Sequence, residues 1–233
     1  MAAGSKDGKA EKPGSGRIVL LAGLAGLIAG AVAVYVMERP SGNVAQSIDI
    51  AADGGQCAMK ADAAKALDAA ATGSVAAMRA AETPQPVQNL AFTGPDGRRM
   101  TLADFKSKTL LVNLWATWCA PCREEMPALD KLQAEEGGED FQVVAINIDT
   151  GDDTKPKAFL SDLSETGVRS LNLYRDATMG VFNELKRKNL AFGLPVTMLV
   201  DKDGCQIAAM NGPADWAGDD AKKLIAAARK IDQ

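Results

Sequence analysis

The sequence predicts an α/β layer fold, a mixed sheet flanked by helices, and three observations predict it. Two near-continuous apolar runs, Thr109–Trp115 and Phe141–Ile148, have the content of central strands covered on both faces. Each run is followed by a helix-favouring segment, the alternation that a parallel pairing requires. Toward the C-terminus, Val196–Val200 and Gln206–Met210 read as a hairpin turning at Asp203-Gly204, ahead of an amphipathic stretch from Ala214 to Ile231. Hydrophobic residues make up 47% and charged residues 24% of 233, the balance of a folded chain.

Residues 1–17 are Gly/Ser/Lys-rich and carry Lys6, Lys9, Lys12 and Arg17, as a solvated tail does. Ile18–Met37 is uncharged and long enough to cross a hydrocarbon core of about 30 Å as a helix. The positive charges before it place the tail in the cytoplasm and everything after Pro40 outside, as a single-pass inner-membrane anchor with a periplasmic domain. A cleavable signal ending at Ala31-Val32-Ala33 is the alternative, and it delivers the same domain to the same side.

Residues 38–56 read as a linker. The Ala-rich stretch from Ala58 to Ala81, broken at Thr72-Gly73-Ser74, predicts one helix or two short ones, so that residues 57–86 form a helical extension. The remaining domain spans 87–233. It begins with a hairpin, Val87–Thr93 and Arg98–Leu102 around Gly94-Pro95-Asp96-Gly97. A helix is expected from the cysteines after Trp115 to about Glu136. Pro156–Thr166 should be a second helix, Leu171–Tyr174 a short strand and Met179–Lys188 a third helix.

Composition also excludes chemistry. The chain contains no histidine, which removes imidazole acid–base catalysis, His-activated nucleophiles and His metal ligands. A net charge of -4 without a Lys/Arg stripe offers nothing to nucleic acid. Asp149-Thr150-Gly151-Asp152-Asp153 lacks the twelve-residue ligand pattern of a calcium loop.

Four cysteines remain: Cys57, Cys119, Cys122 and Cys205. Two stand in Trp118-Cys119-Ala120-Pro121-Cys122, after a buried strand and at the start of a helix. There the unpaired N–H groups and the helix dipole favour thiolate over thiol at Cys119. Cys122, one turn on, can close a disulfide or resolve a mixed one. Pro121 suits the first helical turn, where its missing N–H costs nothing. A bare C-x-x-C also fits a structural disulfide or half of a zinc site, and the strand-before, helix-after context favours redox chemistry.

The segment Asn113-Leu-Trp-Ala-Thr-Trp-Cys-Ala-Pro-Cys-Arg-Glu-Glu-Met-Pro127 resembles the active-site segment of thioredoxin-fold proteins. It is most similar to the TlpA/ResA/CcmG-like group of anchored periplasmic reductases, and the resemblance extends over Val87–Asp232. The group's further features follow by position. Pro127 matches the proline inside the active-site helix. Pro195, in Gly193-Leu194-Pro195-Val196-Thr197, matches the cis-proline that faces the cysteines, with Trp118, Pro121 and Leu194 beside the substrate. The insertion from about Asp152 to Lys188 matches the group's added αβ unit. Asn113 stands where cytoplasmic thioredoxins have a buried Asp, and Glu125, three after Cys122, matches the group's acid. On a helix Glu125 lies beside Cys122 and could take its proton, or it could be a surface acid in the first turn.

In an oxidising compartment an even cysteine count invites a second, structural pair, Cys57–Cys205, with two unconnected thiols as the alternative. TlpA-type proteins carry such a pair. The resemblance implies a monomeric dithiol reductase with no cofactor beyond the Cys119–Cys122 disulfide, recharged by a transmembrane thiol carrier. Implied substrates are cysteines of a cytochrome oxidase copper site and its copper chaperone, or of apocytochrome c. A disulfide-donating oxidase and a cysteine metal-binding protein are the competing functions.

Overall fold

The computed structural model describes Met1 and residues 55–105, 107–165 and 170–231. The expected anchor Ile18–Met37 and the tail before it lie outside the described residues. No described helix is long and apolar enough to cross a membrane.

Eight described strands, β1 (Arg79–Pro86), β2 (Ala91–Thr93), β3 (Arg99–Thr101), β4 (Thr109–Trp115), β5 (Phe141–Asn147), β6 (Tyr174–Arg175), β7 (Val196–Val200) and β8 (Cys205–Asn211), form one mixed sheet. Their order across it is β1-β8-β7-β4-β5-β6-β2-β3. Its centre is β4 (Thr109–Trp115), whose seven side chains are all buried, paired in parallel with β5 (Phe141–Asn147). On the other side β4 meets β7 (Val196–Val200) antiparallel, and β7 turns into β8 (Cys205–Asn211). These are the runs that the sequence marks as strands. Residues buried on both faces must be apolar throughout, so such strands announce themselves locally. Gly204 lies in the β7–β8 turn at φ +82°, and a Cβ there would meet Gln88 Cβ at 2.7 Å.

Beyond β5 lie the two-residue β6 (Tyr174–Arg175) and the hairpin of β2 (Ala91–Thr93) and β3 (Arg99–Thr101). The expected strand at Leu171–Tyr174 is thus shorter and shifted to Arg175. Helices cover the sheet: α3 (Ala120–Glu136), α4 (Thr154–Glu165), α5 (Gly180–Arg187) and α6 (Asp219–Ile231). In α6, Asp219 and Asp220 open the helix and Arg229 and Lys230 close it, as the dipole favours.

The extension departs most from expectation. Residues 55–58 are already helical, so the linker ends earlier than position 56. Two short helices follow, α1 (Ala61–Ala64) and α2 (Ala66–Ala70), and a 3-10 turn at Gly73–Val75. The expected helix does not reach Ala81. Arg79–Pro86 is instead β1, an edge strand antiparallel to β8, with a register shift between Ala80 and Gln85. The boundary drawn at residue 87 therefore cuts through the sheet. The β1 sequence, Arg-Ala-Ala-Glu-Thr-Pro-Gln-Pro, has a single β-branched residue, Thr83, and two prolines. Prolines are tolerated at an edge because one side of the strand needs no donors.

Candidate active site

The chain leaves β4 at Trp115, makes a turn closed by the Cys119 N–H to the Ala116 carbonyl (3.1 Å), and enters α3. Cys119 is the N-cap in extended conformation, with Pro121 in the first turn. The N-cap normally presents a side-chain oxygen to a free helical N–H. Here a sulfur does so: Cys119 Sγ accepts from the Cys122 N–H at 3.3 Å. The two cysteines form a disulfide with their Cα atoms 5.3 Å apart. Cys119 is 6% exposed and Cys122 is fully buried, so of the two cysteines only Cys119 has any access to solvent. Trp118 beside it is 66% exposed.

Asp149 steadies the turn from the neighbouring strand end. Its buried carboxylate accepts the Thr117 N–H (3.1 and 3.2 Å) and the Asn147 side-chain amide (2.9 Å). The Asp149–Asp153 loop is held as a loop by Arg175, which donates to the carbonyls of Asp149, Gly151 and Asp152.

The Leu194–Pro195 peptide bond is cis. The register Leu114↔Val196 places Pro195 at the end of β4 from which the cysteine turn departs. Pro195 is buried, Leu194 half-buried. The Pro195 carbonyl accepts the Gly212 N–H, and Asn211 receives the Phe192 N–H, so the end of β8 holds the loop.

Glu125, one turn beyond Cys122, is buried (4% exposed), while its neighbour Glu124 faces solvent. The surface-acid alternative is thereby excluded. Glu125 Oε1 accepts from Asn113 Nδ2 (2.8 Å), and Oε2 accepts from Trp216 Nε1 (2.9 Å) and the Ala214 N–H (3.2 Å). Asn113 Nδ2 also donates to Thr197 Oγ1, two residues after Pro195. Burial pushes the Glu125 carboxyl above its ordinary range, and the bonds from Trp216, Asn113 and Ala214 pull it part of the way back.

That direction has a consequence for stability. Between the ordinary value near 4.5 and the raised folded value, the native state holds a proton that the unfolded state has lost. Stability is greatest below this window and declines as pH rises through it, with a slope of at most ~1.4 kcal/mol per pH unit. Glu125→Gln should abolish that slope, seen as a denaturation midpoint less dependent on pH than the wild type's between pH 4 and 8. An unchanged slope would mean another group carries it.

Cys57 and Cys205 also form a disulfide, Cα atoms 5.3 Å apart. Cys205 opens β8 at the hairpin, the far end of β7 from Pro195. Both cysteines are buried. Lys60 fastens the same corner through ion pairs to Asp201 and Asp203.

Residues 80–225 match the family model described as Redoxin. The chain belongs to the Redoxin family. Within the thioredoxin superfamily this redoxin is of the TlpA/ResA-like kind. It is 35% identical to the thioredoxin-like protein YneN of Bacillus subtilis (strain 168), over 46% of its own length and 59% of that protein. It is 36% identical to the thiol:disulfide interchange protein DsbE of Pseudomonas aeruginosa, over 52% and 61% respectively. To the thiol-disulfide oxidoreductase ResA of Bacillus thuringiensis it is 29% identical, over 53% and 66%. The redoxin thus spans less than two thirds of each of these relatives.

Among solved structures, a thioredoxin family thiol:disulfide interchange protein from Chlorobium tepidum TLS shares the fold. The TM-score is 0.52 at 23% identity, covering 63% of the redoxin and 97% of that chain. A secreted thiol-disulfide isomerase from Corynebacterium glutamicum gives 0.51 at 19%, covering 66% and 91%. The architecture is thioredoxin-like.

The structure thus brings Asn113, Glu125 and Thr197 together beneath the cysteine turn, and adds Trp216 and Asp149, which sequence reading left without a role. Trp216 was expected inside the last helix. That helix begins only at Asp219, because Gly212, at φ +109°, turns the chain inward first. No local signal marks a tryptophan that reaches an acid 91 positions away.

Proposed function

We propose that this redoxin is an anchored, extracytoplasmic protein-disulfide reductase. One observation carries the reading: a cysteine sulfur caps a helix and accepts its N–H, with its buried partner one turn on. Reduced, Cys119 at that position is stabilised as thiolate. It attacks one sulfur of a substrate disulfide, forming a mixed disulfide and releasing the substrate's other sulfur as a thiolate. Cys122 gives its proton to Glu125 and attacks Cys119 Sγ, releasing the second substrate sulfur. Two electrons pass to the substrate, and the Cys119–Cys122 disulfide remains.

Trp118, Pro121 and Leu194 present the surface on which the substrate backbone lies, and the buried cis-Pro195 next to Leu194 shapes it. A groove of about 590 Å³ runs from Trp118 past Arg123, Lys155 and Phe159 and extends that surface. The disulfide is the whole redox group, and a transmembrane thiol carrier restores the dithiol. The anchor is Ile18–Met37, with the domain on the periplasmic side. The added Cys57–Cys205 pair favours cysteines of an oxidase copper site or its chaperone as substrates over those of apocytochrome c. The names of the ResA and DsbE relatives, thiol-disulfide oxidoreductase and interchange protein, support the reaction class. A four-thiolate metal site finds no support, since Cys57–Cys205 sits at the opposite end of β7 from Pro195.

The reduction potential tests the direction. Equilibrating the intact protein with thiol buffers and mass-tagging each cysteine should place the Cys119–Cys122 couple below about -200 mV, in the reducing range. A value near about -120 mV would make it a disulfide donor instead.

A further inference from the structure

The loop 212–218, between β8 and α6, supplies two of the three donors that Glu125 receives. Trp216 is fully buried, and its indole N–H is a donor only. The Ala214 N–H is likewise a donor only. Asn113 turns its amide nitrogen toward both Glu125 and Thr197, leaving its buried Oδ1 without a hydrogen-bond partner. Glu125 therefore sits in a cradle of donors, which suits a carboxylate and offers a carboxylic acid no acceptor in this arrangement.

We propose that Trp216 is a positioning residue for the redox reaction, its indole N–H holding buried Glu125 in the anionic form that accepts the Cys122 proton. The proposal rests on the reading of Glu125 as that acceptor. Atoms balance within the site: the Cys122 thiol and the Glu125 carboxylate become the Cys122 thiolate and the Glu125 carboxylic acid. Asn113 completes the exchange. A half-turn of its amide presents Oδ1 to the new O–H, while the Thr197 hydroxyl donates to the same oxygen.

On its own helix the titratable neighbour of Glu125 at i,i+3 spacing is Cys122; Arg123 and Glu124 face solvent. From β4 it meets Asn113, from β7 Thr197 by way of Asn113, and from the loop Ala214 and Trp216. Asp215 in that loop is exposed and binds the Ala217 N–H instead. None of the hydrogen-bond partners of Glu125 is charged, so the neutral donor set is what opposes the effect of burial on its proton affinity. Burial alone would favour the acid.

The test uses the full chain with Trp216→Phe, and in parallel with Trp216 replaced by benzothienylalanine, which keeps the ring shape without the N–H. Glu125 is titrated by carboxyl carbon NMR in the reduced protein, its signal assigned by loss in Glu125→Gln. The pH profile of mixed-disulfide resolution is measured alongside. Both replacements should raise the Glu125 midpoint by about one pH unit, a tenfold gain in proton affinity. The inflection of the resolution rate should move with it. In a Glu125→Gln background the same replacements should leave the profile where it was. An unmoved Glu125 midpoint in an active benzothienyl variant overturns the proposal alone. Equal changes in both backgrounds reduce Trp216 to packing and also overturn it. A Glu125→Gln protein that resolves mixed disulfides at the wild-type rate at every pH overturns the proposal together with the reading of Glu125.

Discussion

Cys119→Ser will abolish reduction of protein disulfides and trap nothing, whereas Cys122→Ser will accumulate a mixed disulfide on Cys119. The loss in both variants should be at least about 10³-fold in turnover, because exchange requires a thiolate at each step. The asymmetry between them follows from position. Cys119 caps α3, accepts a helical N–H and reaches the surface, while Cys122 is sealed from solvent. A protein substrate can therefore meet the first sulfur and cannot meet the second. With no histidine in the chain, helix N–H groups and the dipole are what remain to favour a thiolate, and they act at Cys119. Mass spectrometry of each variant after incubation with an oxidised protein substrate reads the outcome directly. Equal trapping by the two variants would contradict the assigned roles, as would a reduced Cys119 that alkylates no faster than free cysteine.

The second large effect concerns stability. Replacing Cys57 and Cys205 together by Ala should lower the unfolding free energy by about 3–5 kcal/mol at neutral pH. The bridge joins positions 148 apart, and closing so long a loop in the unfolded chain is worth roughly 5 kcal/mol on the chain-entropy model. Two features moderate the loss. The ion pairs of Lys60 to Asp201 and Asp203 hold the same corner, and the β1–β8 pairing continues beside it. Denaturant unfolding of the variant against wild type measures the change. The alkylation rate of reduced Cys119 should stay within about twofold, because the bridge lies at the other end of β7 from the Pro195 segment. A stability loss below about 1 kcal/mol would show that the extension is held by its other contacts.

The two cysteine pairs illustrate how differently the parts of this molecule were legible. Cys119–Cys122 could be read because its chemistry is local: a buried strand, a turn and a helix start lie within a dozen residues. The central strands Thr109–Trp115 and Phe141–Ile148 were legible for the same reason, since burial on both faces demands an unbroken apolar run. The Cys57–Cys205 pairing rested on cysteine count and compartment, and its geometry appears only once β8 is in place.

Edge strand β1 escaped notice because an edge imposes little on its sequence. Arg79–Pro86 pairs on one side only, and its prolines and alanines read as a broken helix. Asn113, Glu125, Thr197 and Trp216 mark the limit more sharply. That an acid follows the second cysteine by one helical turn is plain from residue order alone. Whether that acid faced water or the interior depended on α3 lying against the sheet, and on the loop after β8 folding inward at Gly212 to bring Trp216 beneath it. Local patterns record how each segment meets solvent, whereas hydrogen bonds between segments ninety residues apart exist only after the chain has packed.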